Sequence, residues 1–267
     1  MALTLHDSPL DSPPIDSAIA AARAGRDDGS VPDEAARAAK RAYVRTMFGA
    51  IAPRYDLLNR VLSMGIDRRW RRAALEALAW RGAPGGTFLD LCAGTMDVSV
   101  QLASASGFTG RVMAADFAEP MLRAGRGKAR ARRVHPVTSD ALALPLAGGV
   151  LDGAIVAFGI RNVADLDAGL AEVRRVLRPG ARFVILEFST PRQPLVRAAY
   201  HAYFHHVLPR IGAWVSGHRS AYAYLPASVA HFPTEQVLAD RLRAAGFPRV
   251  EWRALTFGIA ALHVATA

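Results

Sequence analysis

From residue 87 onward the chain alternates short apolar runs with amphipathic stretches. Runs at 87–92, 111–115, 134–138, 153–158 and 182–188 are short, bounded by turn residues, and read as strands. The stretches 97–105, 119–130, 166–177 and 234–245 carry apolar residues at helical spacing. Arg178-Pro-Gly180 ends one helix and opens the next strand, as proline and glycine beyond a helix terminus do. Strand–helix alternation of this kind predicts an α/β domain with a mostly parallel sheet. Near the C-terminus Arg249–Leu255 and Gly258–Ala265 follow each other with no helix between, and read as an antiparallel pair.

Two stretches depart from the alternation. Residues 39–80 read as a helical cap, with helices from Ala39 to Phe48, Asp56 to Leu62 and Asp67 to Ala79, and Pro84-Gly-Gly86 turns the chain into the first strand. Residues 190–232 form an insert rich in tyrosine and histidine, with one tryptophan, Trp214. Such inserts lie over the C-terminal edge of a parallel sheet, where ligands bind, so this one is expected to be a lid or substrate wall. Residues 1–38 are rich in Ala, Asp, Ser and Pro, lack periodicity and read as a disordered tail ahead of one domain at 39–267.

Composition narrows the class. The 267 residues are 51% hydrophobic, enough for a sizeable core, and contain no uncharged apolar run of about 18 residues. The N-terminus has no basic-then-apolar signal pattern, so a cytoplasmic protein is expected. A single cysteine, Cys92, excludes an internal disulfide and a cysteine-built metal site. The net charge of +10 is uneven, at −4 over residues 1–38 and +14 over the remainder. Arginines cluster at 68–72 and 123–133. They would attract nucleic acid or anionic lipid, or form an ordinary solvated face.

The chemistry concentrates in Thr87-Phe-Leu-Asp-Leu-Cys-Ala-Gly-Thr-Met-Asp97 and Arg111-Val-Met-Ala-Ala-Asp116. Each is an apolar strand with an acid at or near its end. The first runs into a turn with one glycine, Gly94, where backbone can approach a ligand. An acid ending the second strand can accept both hydroxyls of a ribose. Neither G-x-G-x-x-G nor Gly-Lys-Ser/Thr is present, so pyrophosphate binding is poorly supported. S-adenosylmethionine, a nucleoside cofactor without phosphate, fits better. Asp90 would face its ammonium group or sulfonium field, Asp116 its ribose, and Ser139-Asp140-Ala141 its adenine. The competing reading of each lone Asp is a helix cap or a surface charge.

Asp90-Leu-Cys-Ala-Gly-Thr-Met-Asp97 resembles the first motif of class I S-adenosylmethionine-dependent methyltransferases. More narrowly, the chain resembles the ubiquinone/menaquinone biosynthesis C-methyltransferase family over roughly residues 44–265. The segments carrying this resemblance begin with Met47-Phe-Gly-Ala-Ile-Ala-Pro-Arg-Tyr-Asp-Leu-Leu-Asn59 and Phe158-Gly-Ile-Arg-Asn-Val163. Arg175-Val-Leu-Arg-Pro-Gly180, Leu186-Glu-Phe-Ser189, His206–Gly212 and Tyr222–Ser228 extend it. The resemblance implies a Rossmann-like sheet of seven strands, mostly parallel with an antiparallel C-terminal strand and helices on both faces. It implies cofactor contacts at Thr95, Asp116, Asp140, Ala141 and Ala157, just before Phe158. Two residues depart from the family pattern, Met96 and Ala157, where many members have Gly and Ser. Met96 is expected to narrow the turn beside the methionyl end of the cofactor.

The implied reaction is methylation of a ring carbon of a reduced polyprenyl quinone, most simply demethylmenaquinol to menaquinol. The alternative acceptor is 2-methoxy-6-polyprenyl-1,4-benzoquinol in ubiquinone synthesis, or both. A quinol carbon becomes nucleophilic when the ring hydroxyl ionises, and a phenol has a pKa near ~10. A fixed cation in a dry pocket favours that anion. Arg161 is expected to supply it, with Asn162 orienting the same oxygen; arginine is too weak a base to be assigned proton removal. His201, Tyr203, His205 and His206 are alternative proton acceptors, and no metal is expected. Tyr55 and Asn59, four apart, would share a helical face and close the pocket beside Phe158. The aromatic stretch from Leu195 to Trp214 would lie at a lipid interface, giving peripheral membrane contact. A nucleic-acid partner is not expected, because an Asn/Asp-Pro-Pro-aromatic motif is absent after the fourth strand. A non-catalytic cofactor-binding protein is a further alternative, resting only on Met96 and Ala157. The sequence does not fix the oligomeric state, and a homodimer is carried as one expectation.

Overall fold

Seven strands make one sheet: β1 (Thr87–Leu91), β2 (Arg111–Asp116), β3 (Val134–Thr138), β4 (Leu151–Ala157), β5 (Leu177–Phe188), β6 (Arg249–Leu255) and β7 (Ala260–Thr266). In this computed structural model, residues 34–63, 65–129, 133–203 and 219–267 are described. The strand order is β3-β2-β1-β4-β5-β7-β6. The first five strands are parallel, and β7 runs antiparallel to both β5 and β6.

The unbroken apolar runs of β1, β4 and β5 arise because both faces of the sheet are covered. Alternate residues serve alternate faces. Leu89, Leu91, Ala154, Val156, Phe183 and Ile185 bury into one core with α6 (Leu166–Val176) and α9 (Glu235–Ala244). Phe88, Val112, Ile155 and Val184 bury into the other core. That core is closed by α3 (Asp67–Ala77), α4 (Asp97–Ala103) and α5 (Glu119–Ala129). Each large apolar side chain removed from water contributes roughly 1.5–3 kcal/mol, so a one-residue slip of a central strand would exchange its two core sets.

The N-terminal cap is α1 (Glu34–Ile51), a 3₁₀ turn at Ala52–Arg54, α2 (Tyr55–Leu62) and α3. Helix α1 takes in the last five residues, 34–38, of the segment expected to be a tail. Glu34 sits in its first turn, and Arg37 reaches Asp165 at 3.2 Å. Within the insert lie α7 (Pro194–Ala202) and α8 (Arg219–Ala230). The expectations for residues 1–33, and for His205, His206, Trp214 and His218, lie outside the described residues.

One boundary differs in an informative way. Arg178-Pro-Gly180 was expected to separate α6 from a strand starting at 182, but Leu177 already pairs with Leu151. The chain turns at Gly180 (φ +80°), where its N–H donates to the Ala267 carbonyl at 2.8 Å, and pairing with β4 resumes at Arg182. Sheet hydrogen bonds therefore reach back to the residue that ends the helix.

Met96 does not narrow the ligand side of the turn. It is fully buried in the core, at φ +65° before α4, and a Cβ on Gly125 would come 2.9 Å from its terminal methyl. A left-handed backbone costs a non-glycine residue roughly 1–2 kcal/mol, whereas truncating a buried methionine costs roughly 2–5 kcal/mol. Packing outweighs strain. Met96→Gly should therefore lower unfolding stability by roughly 1–3 kcal/mol, read from urea denaturation. A stabilised variant would contradict this placement.

Candidate active site

A cavity with about 660 Å³ of atom-free space, open to solvent, lies at the C-terminal ends of β1, β2, β3 and β4. The strand ends of an open parallel sheet are where small-molecule ligands bind. Its floor is built from strand ends held in register by backbone. Ala93 N–H donates to Ala115, Ser139 N–H to Asp116 and Phe158 N–H to Leu186.

Of the residues singled out in the sequence, Tyr55, Gly94, Asp116, Asp140, Ala141, Ala157, Phe158 and Asn162 line this cavity. Asp116 closes β2 and is 8% exposed. Its Oδ2 accepts the Gly94 N–H and its Oδ1 the Ala118 N–H, both at 2.8 Å. Burial raises its pKa, and those two backbone donors oppose the rise. A carboxylate has about four acceptor positions, so each oxygen can still take a ligand hydroxyl. Gly94 has φ +54°, and a Cβ there would meet the Met121 methyl at 3.4 Å. Asp140 Oδ1 accepts the Leu142 N–H at 3.0 Å, and its Oδ2 lies 4.0 Å from Arg41. Beside it the Ser139 Oγ is buried with no hydrogen-bond partner.

Other predicted residues are placed behind the cavity rather than in its lining. Asp90 is 2% exposed, and its Oδ2 accepts both the N–H (2.9 Å) and the hydroxyl (2.6 Å) of Ser99. Its Oδ2 ties β1 to the first turn of α4. Burial pushes its pKa up to about 7, against the Ser99 hydrogen bonds. The folded state therefore holds a proton that the unfolded chain releases near pH ~4, so this residue's contribution to stability falls as pH rises from about 4 to about 7. Asp90→Asn should remove that slope. Relative to the variant, the wild type should lose a few kcal/mol across that window and change little above it. Parallel pH profiles for the two proteins in chemical denaturation would contradict it.

Thr95 is also buried. Its hydroxyl donates to Asp56 Oδ1 of α2 at 2.5 Å. Lys128 of α5 bridges Asp56 and Asp97, and Arg71 of α3 takes the other Asp97 oxygen at 2.7 Å. The turn after β1 is thus gripped by three helices. Asn59 lies one turn after Tyr55 on α2 and opposes the burial-driven rise of its pKa, so the two share a face as their spacing predicts. His201 is exposed at the end of α7 with its ring edge-on to Tyr200, and Tyr203 is half-buried beside the Tyr43 cluster.

Arg161 and Asn162 lie in a 3₁₀ turn (Ile160–Asn162) directly after β4. Asn162 faces the cavity, and its Oδ1 accepts the Tyr224 hydroxyl at 3.1 Å. Arg161 is outside the lining. Its Nη1 donates to Glu187 Oε1 at 2.7 Å and to the Phe158 carbonyl at 2.5 Å, and its Nε to Ser228 at 3.3 Å. Nη2 takes part in none of these contacts. The pair is buried, with side-chain exposures of 7% and 2%. The Phe158 contact holds a residue at φ +61°, strained for an aromatic. Burial raises the Glu187 pKa against the pull of Arg161. The Arg161 charge also reaches the surrounding phenols. Burial raises Tyr55, Tyr200 and Tyr224, the last to about 12, while Arg161 lowers each of them.

Sequence reading missed Glu187 and Lys40, while Ser139, named for the adenine, does line the cavity. Glu187 sits in an apolar strand where its partner is 26 residues away, so no local signal marks it. Lys40 did leave a signal, since it falls on the same helical stripe as Val44, Met47 and Ile51.

The donor set suits a nucleoside bearing positive rather than negative charge. Two carboxylates and an unpartnered serine hydroxyl face the cavity, and no glycine-rich phosphate cradle adjoins them. S-adenosylmethionine has that chemistry.

Residues 36–267 match the family model described as the ubiE/COQ5 methyltransferase family. The chain is 49% identical to a demethylmenaquinone methyltransferase of Deinococcus radiodurans, over 83% of this chain and 91% of that one. It is 44% identical to the ubiquinone/menaquinone biosynthesis C-methyltransferase UbiE of a Geobacter strain, over 84% and 95%. Among solved structures, a SAM-dependent methyltransferase of Thermotoga maritima superposes with a TM-score of 0.56 at 16% identity, covering 83% and 98% of the two chains. That last likeness speaks for the fold alone.

Proposed function

The chain belongs to the ubiE/COQ5 methyltransferase family, and from that premise we propose that it methylates a ring carbon of a reduced polyprenyl quinone, with demethylmenaquinol as acceptor and menaquinol as product. The observation that carries this reading is the cavity itself. Asp116 and Asp140 line one part of it, and Asn162, with Arg161 behind it, follows the next strand. Asp116 would hold the ribose hydroxyls, and Ser139, Asp140 and Ala141 the adenine. Ala157 would contribute backbone groups toward the methionyl end. Bound there, S-adenosylmethionine supplies an electrophilic methyl group on a sulfonium.

The protein's own part is to make the acceptor carbon nucleophilic and to keep the site dry. Burial raises the pKa of Tyr55, Tyr200 and Tyr224, and the Arg161 charge opposes that rise in each. A quinol hydroxyl beside Asn162 would feel the same field, which favours its ionised form and enriches the adjacent ring carbon. Asn162, braced by Tyr224, orients that oxygen. Tyr55 and Phe158 wall the ring. Glu187 holds the guanidinium in place.

The benzoquinol reading is favoured by relatives whose names cover both quinones. Competition between reduced demethylmenaquinone and a reduced polyprenyl methoxybenzoquinone, at equal concentration in one reaction, separates the two. Preferential methylation of the naphthoquinol supports menaquinone synthesis, and comparable rates make the enzyme common to both pathways.

A polyprenyl acceptor resides in lipid, so the reading extends to peripheral membrane contact. No described helix is long and apolar enough to cross a membrane. Among the described residues, the exposed large apolar side chains include Leu195 at 86% and Phe257 at 73%. Both follow strand ends on the cavity's edge of the sheet, Leu195 after β5 and Phe257 between β6 and β7. Ser189, just after β5, bonds the Gly258 carbonyl and joins the two loops. Exposed Arg192 and Arg197 flank Leu195. The protein should float with anionic vesicles at low salt, and Leu195→Ser with Phe257→Ser should reduce the bound fraction severalfold. Undiminished flotation of the double variant would place the lipid contact elsewhere.

A further inference from the structure

We infer that Lys40 is a positioning residue for the turn that carries Arg161 and Asn162, clamping that turn from outside the sheet. The inference rests on the methyltransferase reading above. Lys40 belongs to α1, on the stripe Lys40, Tyr43, Val44, Met47 and Ile51, all of it buried. An apolar residue would suit that stripe better, because burying an ammonium group is expensive unless its protons are satisfied. Its Nζ donates to the Val163 carbonyl at 2.7 Å and to the Arg161 carbonyl at 3.3 Å. These two carbonyls flank Asn162 and lie at the C-terminal end of the 3₁₀ turn, where carbonyl groups lack partners within the turn. A cation at that position satisfies them and complements the local dipole.

The clamp joins parts that the sheet does not connect. Asn162 N–H bonds to Gly159 and Val163 N–H to Ile160, closing the turn on itself. Lys40 then fixes the closed turn to α1, more than 120 residues away in sequence. Beside it Arg37 pairs with Asp165, the residue that caps α6, at 3.2 Å. Helix α1 also supplies Arg41, Val44 and Phe48 to the cavity wall. The Lys40 ammonium, beside the Arg37–Asp165 pair, therefore ties the helix that lines the cavity to the turn that holds Arg161 and Asn162. Lys40 itself is not among the lining residues of the cavity. Its burial lowers its pKa to about 8, opposed by Asp165.

Displacing catalytic groups by about 1 Å can cost on the order of 10²-fold in rate. Lys40→Met keeps the length of the side chain and removes its donors. Its kcat for methyl transfer should fall at least ~10-fold, with the S-adenosylmethionine dissociation constant within about threefold of wild type. Amide hydrogen exchange should accelerate across 159–165 and stay unchanged in β1 and β4. Lys40→Gln, which keeps an amide donor, should lie between the two. It is read by the same criteria if the methionine variant does not fold. A variant that melts lower yet keeps its kcat within about twofold, with unchanged exchange at 159–165, overturns the inference and leaves Lys40 a scaffold residue. Failure of the wild type to methylate any quinol would sink the functional reading instead, and the exchange pattern would still decide the clamp.

Discussion

Arg161→Met is expected to abolish most methyl transfer and to destabilise the protein at the same time, and a second substitution should separate the two effects. Removing one preorganised group that stabilises developing charge costs about 10²–10³-fold in kcat. Arg161 is also half of a buried ion pair with Glu187. Stranding one partner of such a pair costs about 3–5 kcal/mol of stability. Part of that loss is avoidable here, because burial already raises the Glu187 pKa and the carboxyl can neutralise by taking up a proton. Adding Glu187→Gln removes the stranded charge and keeps an acceptor for the Phe188 N–H. The double variant should therefore regain much of the lost stability and none of the lost turnover. Cofactor affinity should be nearly unchanged throughout, since neither residue lines the cavity. If the double variant recovered turnover along with stability, Arg161 would be a structural residue and the phenolate would have another partner.

Asp116→Asn should act on the other half of the reaction. Both carboxylate oxygens already accept a backbone N–H, from Gly94 and Ala118. An asparagine must turn its amide NH₂ toward one of those donors, so one of the two backbone bonds is lost. It also loses charge-assisted bonds to two ribose hydroxyls, each worth about 1.5–3 kcal/mol. The sum corresponds to about 10²–10⁴-fold in the dissociation constant of S-adenosylmethionine. Calorimetric titration should show that loss, while kcat at saturating cofactor falls far less. Unchanged affinity would mean that Asp116 is a turn anchor only.

The fold was legible because its signals are local. Apolar runs in β1, β4 and β5 mark strands buried on both faces, and the missing helix between β6 and β7 marks the antiparallel end of the sheet. What misled was burial that a linear pattern does not reveal. Asp90 looked like a ligand group because it nearly ends a strand, yet it is 2% exposed and its Oδ2 is held by Ser99 on the helix side. Met96 looked like an obstruction in the turn, yet its φ of +65° directs it into the core. Strand-end residues such as Asp116, Asp140 and Ala157 line the cavity because the sheet fixes their position. Glu187 and Lys40 were missed because their roles depend on partners 26 and more than 120 residues away. Lys40 was the recoverable case, a charged residue on an otherwise apolar helical stripe.

The central claim is carbon methylation at this cavity. Its most direct test is a reaction of the full-length protein with S-adenosylmethionine carrying a deuterated methyl group and with chemically reduced demethylmenaquinone, the product being analysed by mass spectrometry with fragmentation. The expected result is one labelled methyl on the quinone ring carbon, with one ring hydrogen lost as a proton and one S-adenosylhomocysteine formed per product. A labelled methyl on oxygen, or no transfer while the cofactor stays bound, would contradict it.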